Sequence, residues 1–232
     1  ANLANNDIIA CGIYLDQQSN NMKVADNTII RCGYTAVGIN DGYDLDIERN
    51  VSFDNYSGID FYHALLTSQN NTVKNNIIFG TSENQYPVIL QSTVNYIMPA
   101  KFENNYYYNP YNNLFQLIMN MKLQNFYFED WKSMGNGGAD KSSYIISGKK
   151  ALYPRLFKNM TDDSIKIFPE PGLEYKNLDQ ISVHDSITLS PWTSIILLSN
   201  KDLSKLSDFS ISGGTIDFEN KNQRDLSIAK WY

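Results

Sequence analysis

The chain has 232 residues, 42% hydrophobic and 13% aromatic, with 19 basic and 25 acidic side chains and a net charge of −6, which suits a globular protein with ample apolar material for a core. Its longest aliphatic run, Ile195-Ile-Leu-Leu198, is far shorter than the ~20 apolar residues that a membrane-crossing helix needs. Its cations are scattered, so the counter-ion release that drives nucleic-acid binding has no obvious source, and neither a membrane-spanning segment nor a nucleic-acid partner is expected.

Asparagine is the compositional outlier, with 28 residues of which 22 lie in the first 125. It forms helices poorly and turns well, and its amide both donates and accepts hydrogen bonds. An apolar-to-Asn spacing recurs five times, in Leu3-Ala-Asn-Asn6, Val24-Ala-Asp-Asn27, Ile47-Glu-Arg-Asn50, Val73-Lys-Asn-Asn76 and Phe102-Glu-Asn-Asn105. Each Asn precedes a short strand-like run such as Thr28-Ile-Ile30 or Ile77-Ile-Phe79. A second apolar run follows, reading Gly12-Ile-Tyr-Leu15, Ala36-Val-Gly-Ile39, Gly58-Ile-Asp-Phe61, Pro87-Val-Ile-Leu90 and Leu114-Phe-Gln-Leu117. The Asn-to-Asn intervals of 21, 23, 26 and 29 residues fit solenoid coils of three short strands whose loops lengthen along the chain. Equivalent strands then pair at a spacing of about 4.8 Å, and like residues stack in columns. Columns of Asn are expected to hydrogen-bond from coil to coil.

This pattern resembles the right-handed parallel β-helix superfamily that includes pectate-lyase-like and related carbohydrate-active proteins. The resemblance covers roughly residues 1–118 and implies a fold far more than a reaction. It also sets a register test. Cys11 and Cys32 each lie five positions after a repeat Asn, so they are expected one above the other in adjacent coils, as stacked thiols or as a disulfide.

Beyond Leu117 the columns stop. The stretch Asn125-Phe-Tyr-Phe-Glu-Asp-Trp131-Lys-Ser-Met-Gly135 has a capping residue, early acids and a terminal glycine, and predicts a short helix. With Asp140-Lys-Ser-Ser143 it resembles the helix and loop after the last coil in many secreted β-helix proteins of Bacteroidota, which implies that Trp131 plugs the open end of the solenoid. Residues 152–198 carry antiparallel strand signals separated by Pro, Gly and Asp turns. Their last stretch, Ile187-Thr-Leu-Ser-Pro-Trp-Thr-Ser-Ile-Ile-Leu-Leu198, looks like the final strand pair of the small β-sandwich that closes many bacterial carbohydrate-active enzymes. The expected organisation is all-β: parallel β-helix coils over 1–124, a capping helix and loop over 125–151, a small antiparallel β-sandwich over 152–198, and a linker with the first strand of a further module over 199–232.

Chemistry is sparse. Uronate lyases on this fold use a basic residue with calcium or a second cation, but Lys23, Arg31, Arg49 and Lys74 stand at different register positions. Glycoside hydrolysis needs two carboxyl groups about 5–10 Å apart. Asp60 is the leading candidate, pointing outward between Ile59 and Phe61, with Asp16 or Asp41 near the equivalent strand of earlier coils. His63, one of only two histidines, follows Asp60 by three residues and suits acid or base work near neutral pH. Tyr14 and Tyr62, near the same face, offer rings for stacking on sugars, with Asp16 beside them. The acidic loop Asn40-Asp-Gly-Tyr-Asp-Leu-Asp-Ile-Glu48 invites a calcium ion but lacks the EF-hand order, and its alternation reads as an exposed strand with Asp44, Asp46 and Glu48 outward. No zinc spacing, phosphate loop or nucleophile elbow occurs.

Two functions stay open. The first is a segment of a secreted or cell-surface protein that binds or cleaves polysaccharide as a lyase or glycoside hydrolase, with its active site in preceding coils. The second is a non-catalytic scaffold, an adhesin stalk, or cargo exported by an outer-membrane secretion machinery.

Overall fold

The computed structural model describes residues 10–63, 68–93, 98–109, 111–119, 122–134, 140, 142–147 and 153–200. The first Asn repeat and the expected module beyond residue 200 lie outside them. Strands β1 (Ile13–Leu15), β2 (Lys23–Ala25) and β3 (Thr28–Ile30) make the first described coil. The next coils comprise β4 (Thr35–Asn40), β5 (Asp46–Glu48) and β6 (Val51–Phe53), then β7 (Ser57–His63), β8 (Asn71–Lys74) and β9 (Ile77–Phe79), then β10 (Tyr86–Ser92), β11 (Ala100–Glu103) and β12 (Tyr106–Asn109). A fifth coil opens with β13 (Leu114–Met119), which turns back into antiparallel β14 (Lys122–Tyr127). Helix α1 (Phe128–Ser133) follows, and β15 (Tyr144–Ser147) completes the solenoid.

Three sheets result. The first runs β1-β4-β7-β10-β13-β14, the second β2-β5-β8-β11 and the third β3-β6-β9-β12-β15, with every pair parallel except β13 and β14. Apolar columns from all three fill the interior. Val24, Ile47, Val73 and Phe102 stack on the second sheet, and Ile39, Phe61, Leu90 and Leu117 on the first.

The corner between the second and third sheets explains the repeat. The residue just before each ladder Asn is left-handed: Asp26, Arg49, Asn75 and Asn104 have φ of 61, 53, 57 and 53°. Asp and Asn tolerate this conformation better than most residues, and Arg49 is held there by Asp26 at 2.7 Å. The following Asn then points along the solenoid axis. The Nδ2 groups of Asn27, Asn50 and Asn76 donate to the Oδ1 atoms of Asn50, Asn76 and Asn105 at 2.9, 3.1 and 3.1 Å. Each of those oxygens also accepts the backbone N–H of the preceding Asn, at 3.1, 3.0 and 3.0 Å. The second hydrogen of each amide meets a backbone carbonyl, as in Asn76 Nδ2 to Ile47 O at 2.9 Å.

The far end of the ladder is closed by different chemistry. Ser143 Oγ accepts Asn105 N at 2.6 Å in place of a further amide. Buried Asp140 accepts from Asn105 Nδ2 at 3.4 Å, Trp131 Nε1 at 3.2 Å, and the hydroxyls of Tyr107 and Ser143. Burial pushes the Asp140 carboxyl above its ordinary pKa, against the pull of these four donors. Trp131 stacks on Phe115 with centroids 4.8 Å apart and meets Phe102 edge-on at 5.1 Å, sealing the last coil.

The C-terminal strands β16 (Tyr153–Lys158), β17 (Ile165–Ile167), β18 (Tyr175–Lys176), β19 (Ser182–Val183), β20 (Ile187–Leu189) and β21 (Ser194–Ser199) form two antiparallel sheets, β16-β21-β18-β19 and β17-β20. Phe157, Tyr175, Leu189 and Leu197 pack between them. Ile196 and Leu198 point the other way, onto Phe53, Phe79, Tyr106 and Tyr108 of the third sheet, so this small sandwich covers that sheet's outer face.

Four expectations are corrected. Cys11 does not lie over Cys32: Tyr34 N bonds Ala10 O and Gly12 N bonds Thr35 O, both at 3.0 Å, which sets Cys11 opposite Tyr34 and Thr35. Ile13 pairs with Val37, an offset of 24 rather than 21, because the corner at Arg31–Tyr34 takes additional residues. Both thiols are free and half-buried. The helix begins at Phe128, not near Asn125, because residues 122–127 are drawn into a strand that pairs with β13. Within the stretch expected to be loop, β15 extends the third sheet, with Tyr144 beside Tyr106. Finally, β20 and β21 do not pair with each other but lie in opposite sheets.

The saturated ladder makes Asn76 the most consequential single amide. Asn76→Ala removes the side-chain acceptor of the buried Asn50 N–H and one bond each from Asn50 Nδ2, Ile47 O and Asn105 Oδ1, and is expected to destabilise the protein by about 2–4 kcal/mol. Asn27→Ala, at a half-buried rung, is expected to have a smaller effect, and urea midpoints of the two variants measure the difference.

Candidate functional site

Alternation along the first sheet sends Ile59 and Phe61 into the core and Asp60 and Tyr62 outward. Register then assembles an outer face from residues far apart in sequence. Tyr14, Gly38 and Asp60 share one column, with Ile89 next. Asn40, Tyr62 and Gln91 share the adjacent one, which Asp16 extends through a 3.0 Å bond from Asn40 Nδ2. Tyr14, Tyr62, Asp16 and Asp60 therefore occupy one face.

Tyr14 and Tyr62 are 54% and 39% exposed. The Tyr14 hydroxyl is in hydrogen-bonding contact with Asn40 and Asp16. Its ring lies over Gly38, where an added Cβ would come within 3.1 Å of the ring and 3.3 Å of Cys11 Sγ, so glycine is what lets Tyr14 lie flat. Asp16 is held below the usual carboxylate range by the backbone N–H of Gln17 and the amide of Asn40. It is an exposed anion at neutral pH.

Asp60 behaves differently. It is 2% exposed, accepts Gln91 Nε2 at 2.7 Å, and is hydrogen-bonded by Tyr34, whose hydroxyl Gln91 also contacts. Its Oδ1 has no hydrogen-bond partner among the described residues. Burial pushes its pKa to about 7 despite the Tyr34 and Gln91 bonds.

The expected Asp60 and His63 pair is not formed. Three residues of strand put the two side chains on opposite faces, and His63 is buried at the inner corner with its Nδ1 unpaired among the described residues. Desolvation depresses its pKa, and nearby Asp41 opposes that shift. Asp41 is itself fully buried, away from the outer face. Asp16 is two rungs and two residues from Asp60, roughly 12 Å between Cα atoms at ~4.8 Å per rung and ~3.3 Å per residue. With Asp60 closed to solvent, these two carboxyls do not make a hydrolytic pair.

Lys23 and Lys74 stand in different columns of the second sheet, as expected, the first opposite Asp46 and the second opposite Glu48. Their side chains nevertheless converge: Lys23 reaches Glu48 at 2.6 Å, Lys74 reaches it at 3.2 Å, and Arg49 bridges Glu48 and Asp26. Hydrogen bonds from Lys23 and Lys74 pull Glu48 down to about 2. Glu48, expected outward and exposed, is therefore buried under its cations, while Asp44 and Asp46 are exposed and Asp46 accepts the Thr72 hydroxyl. Among the described residues no three His, Cys, Asp or Glu side chains are grouped to hold a metal ion.

Tyr34 and Gln91 escaped sequence reasoning, since neither belongs to the Asn repeat. A signal existed: Tyr34, Tyr56 and Tyr86 each stand at the entrance to a first-sheet strand. Tyr34 stacks on Tyr56 with centroids 6.0 Å apart, and Tyr56 meets Tyr86 edge-on at 5.9 Å.

The sequence of residues 1–106 matches the family described as the right handed beta helix region. Together with the parallel coils this establishes a right-handed β-helix, followed by the capping helix and antiparallel sheets. No curated protein and no solved structure matches the chain. No helix among the described residues is long and apolar enough to cross a membrane.

The raised pKa of Asp60 has a defined sign. Protonated Asp60 is favoured in the folded state, so its contribution to stability is complete below the unfolded pKa of about 4 and is lost as pH rises to about 7. Asp60→Asn is expected to become progressively more stable than the parent over this window, by on the order of 4 kcal/mol at most. Denaturant titrations of both proteins at pH 4, 5.5, 7 and 8 check this; a constant difference refutes it.

Proposed function

We propose that this is a secreted or cell-surface β-helix protein that binds polysaccharide on the outer face of its first sheet, its described coils serving as a binding scaffold. One observation carries the proposal: Tyr14 and Tyr62 are both exposed on that face, with Asn40 and Asp16 fixed by a hydrogen bond beside them. Aromatic rings stack on the apolar C–H faces of sugars, while amides and carboxylates exchange hydrogen bonds with hydroxyls. The fold holds these groups on a rigid sheet, so little side-chain freedom is lost on binding. The motive for export is the sequence resemblance of residues 125–143 and 187–198 to stretches of secreted bacterial β-helix proteins and carbohydrate-active enzymes. Catalysis within these coils is not part of the proposal, because Asp60 is sealed and His63 faces inward.

Retardation in native gels containing soluble polysaccharides tests it. Tyr14→Ala and Tyr62→Ala are each expected to weaken binding by about 3–10-fold, the worth of one aromatic stacking contact. Tyr144→Ala, equally exposed but on the third sheet, is expected to leave binding unchanged. Loss of binding in none of these variants would move the site elsewhere, and no binding to any glycan would favour a stalk or cargo role.

A further inference from the structure

We infer that the polysaccharide held by the first sheet is uncharged and lies along the solenoid axis, across the strands; this rests on the proposal that the first sheet's outer face is the binding surface. The charge distribution over the coils carries the inference. None of the five parallel strands of the first sheet, β1, β4, β7, β10 and β13, contains a Lys or Arg. Around Tyr14 and Tyr62 the outward polar positions hold Asn40 and Gln91, with Asp16 just beyond β1, while Asp60 and Ile89 in the neighbouring column are buried. Among the described solenoid strands, Lys122 lies on antiparallel β14 at the first sheet's last edge, three strands from β7, and the other cations lie on the second sheet. There Lys23, Lys74 and Lys101, together with Arg49, are ion-paired with Glu48, Glu103 and Asp26.

A uronate or sulfated chain laid over Tyr14 and Tyr62 would meet no Lys or Arg from the five parallel strands. It would meet the ionised Asp16, on a protein whose net charge is already −6. Like charges brought together at a binding face exclude a ligand more effectively than a missing contact does. A neutral chain meets the opposite situation. Its hydroxyls donate to the Asp16 carboxylate in a charge-assisted bond and exchange bonds with the amides.

Direction follows from register. Tyr14 and Tyr62 are separated by two rungs, which is about 10 Å along the axis at ~4.8 Å each, and by two residues across it. A glycan touching both rings therefore crosses the strands, and its affinity should climb with chain length until it spans them.

The test is a glycan panel read by affinity gels and calorimetry on the whole chain. It pairs neutral glucans, mannans, xylans and galactans with polygalacturonate, alginate and a sulfated galactan, at 20 and 150 mM NaCl. Expected is binding to one or more neutral polymers, at least tenfold tighter than to any polyanion at either salt, and weakened about 3–10-fold by Tyr14→Ala. Asp16→Arg is expected to reverse part of this discrimination, giving measurable retardation by polygalacturonate that fades at the higher salt. Polyanion binding by the parent protein that is as tight as neutral binding, and that Tyr14→Ala weakens, overturns the inference while leaving the face as the binding site. Polyanion binding alone, insensitive to Tyr14→Ala, or no binding to any member, overturns the face as a site and the inference with it.

Discussion

The structure depends on one repeated interaction, a buried asparagine amide that hydrogen-bonds to its own copy in the next coil. A buried amide without partners costs about 1–3 kcal/mol per lost bond. From Asn50 to Asn105 each amide is satisfied only when the neighbouring coil is in register. One misplaced rung would orphan donors and acceptors on both sides. The ladder thereby fixes one corner, and the coils differ only in what they carry between corners. This is why Asn-to-Asn intervals can grow from 23 to 29 residues without disturbing the stack.

A solenoid built this way must close its exposed surfaces. Its far end is closed by Ser143 and Asp140, which replace the next amide, and by Trp131 stacked on Phe115. The first sheet's last edge is covered by antiparallel β14, a common device against edge-to-edge pairing. The third sheet's outer face, lined by Phe53, Phe79, Tyr106 and Tyr108, is covered by the sandwich. The second is occupied by ion pairs centred on Glu48. The first sheet presents tyrosines, amides and a free carboxylate to solvent, and the functional proposal rests on that contrast between three faces.

The coils were legible because a solenoid writes its period into the sequence: Asn27, Asn50, Asn76 and Asn105 all sit where spacing places them. Alternation around Ile59 and Phe61 likewise gives the outward direction of Asp60 and Tyr62. What failed did so where the period is broken. The corner at Arg31–Tyr34 adds residues between one column and the next, so counting from the Asn misplaces Cys32 relative to Cys11. The first turns of the expected helix became β14, because an open sheet edge outweighs a weak local preference in residues 125–127. Glu48 shows the opposite limit. Its cations lie on three coils, and pairwise spacing in one dimension cannot reveal a contact that only stacking creates. Asp60 and His63 looked close because three residues is a short distance in sequence, but on a strand it is half a period out of phase.

Asp60 bears on why the first sheet is built as it is. This chain satisfies buried polar columns with amides, and two other buried acids have donors in number: Glu48 has Lys23, Arg49 and Lys74, and Asp140 has four. Asp60 has Gln91 and Tyr34 on one oxygen and nothing on the other among the described residues. An asparagine there would fold with less penalty at neutral pH, since it carries no charge to desolvate. The carboxyl joins Gln91 and Tyr34, two residues from rungs on either side of its own, in one network that ties three coils of the first sheet together. The buried charge therefore costs stability at neutral pH at a place where a neutral amide would make the same kind of link, and that cost is a feature the asparagine ladder, uncharged throughout, does not carry.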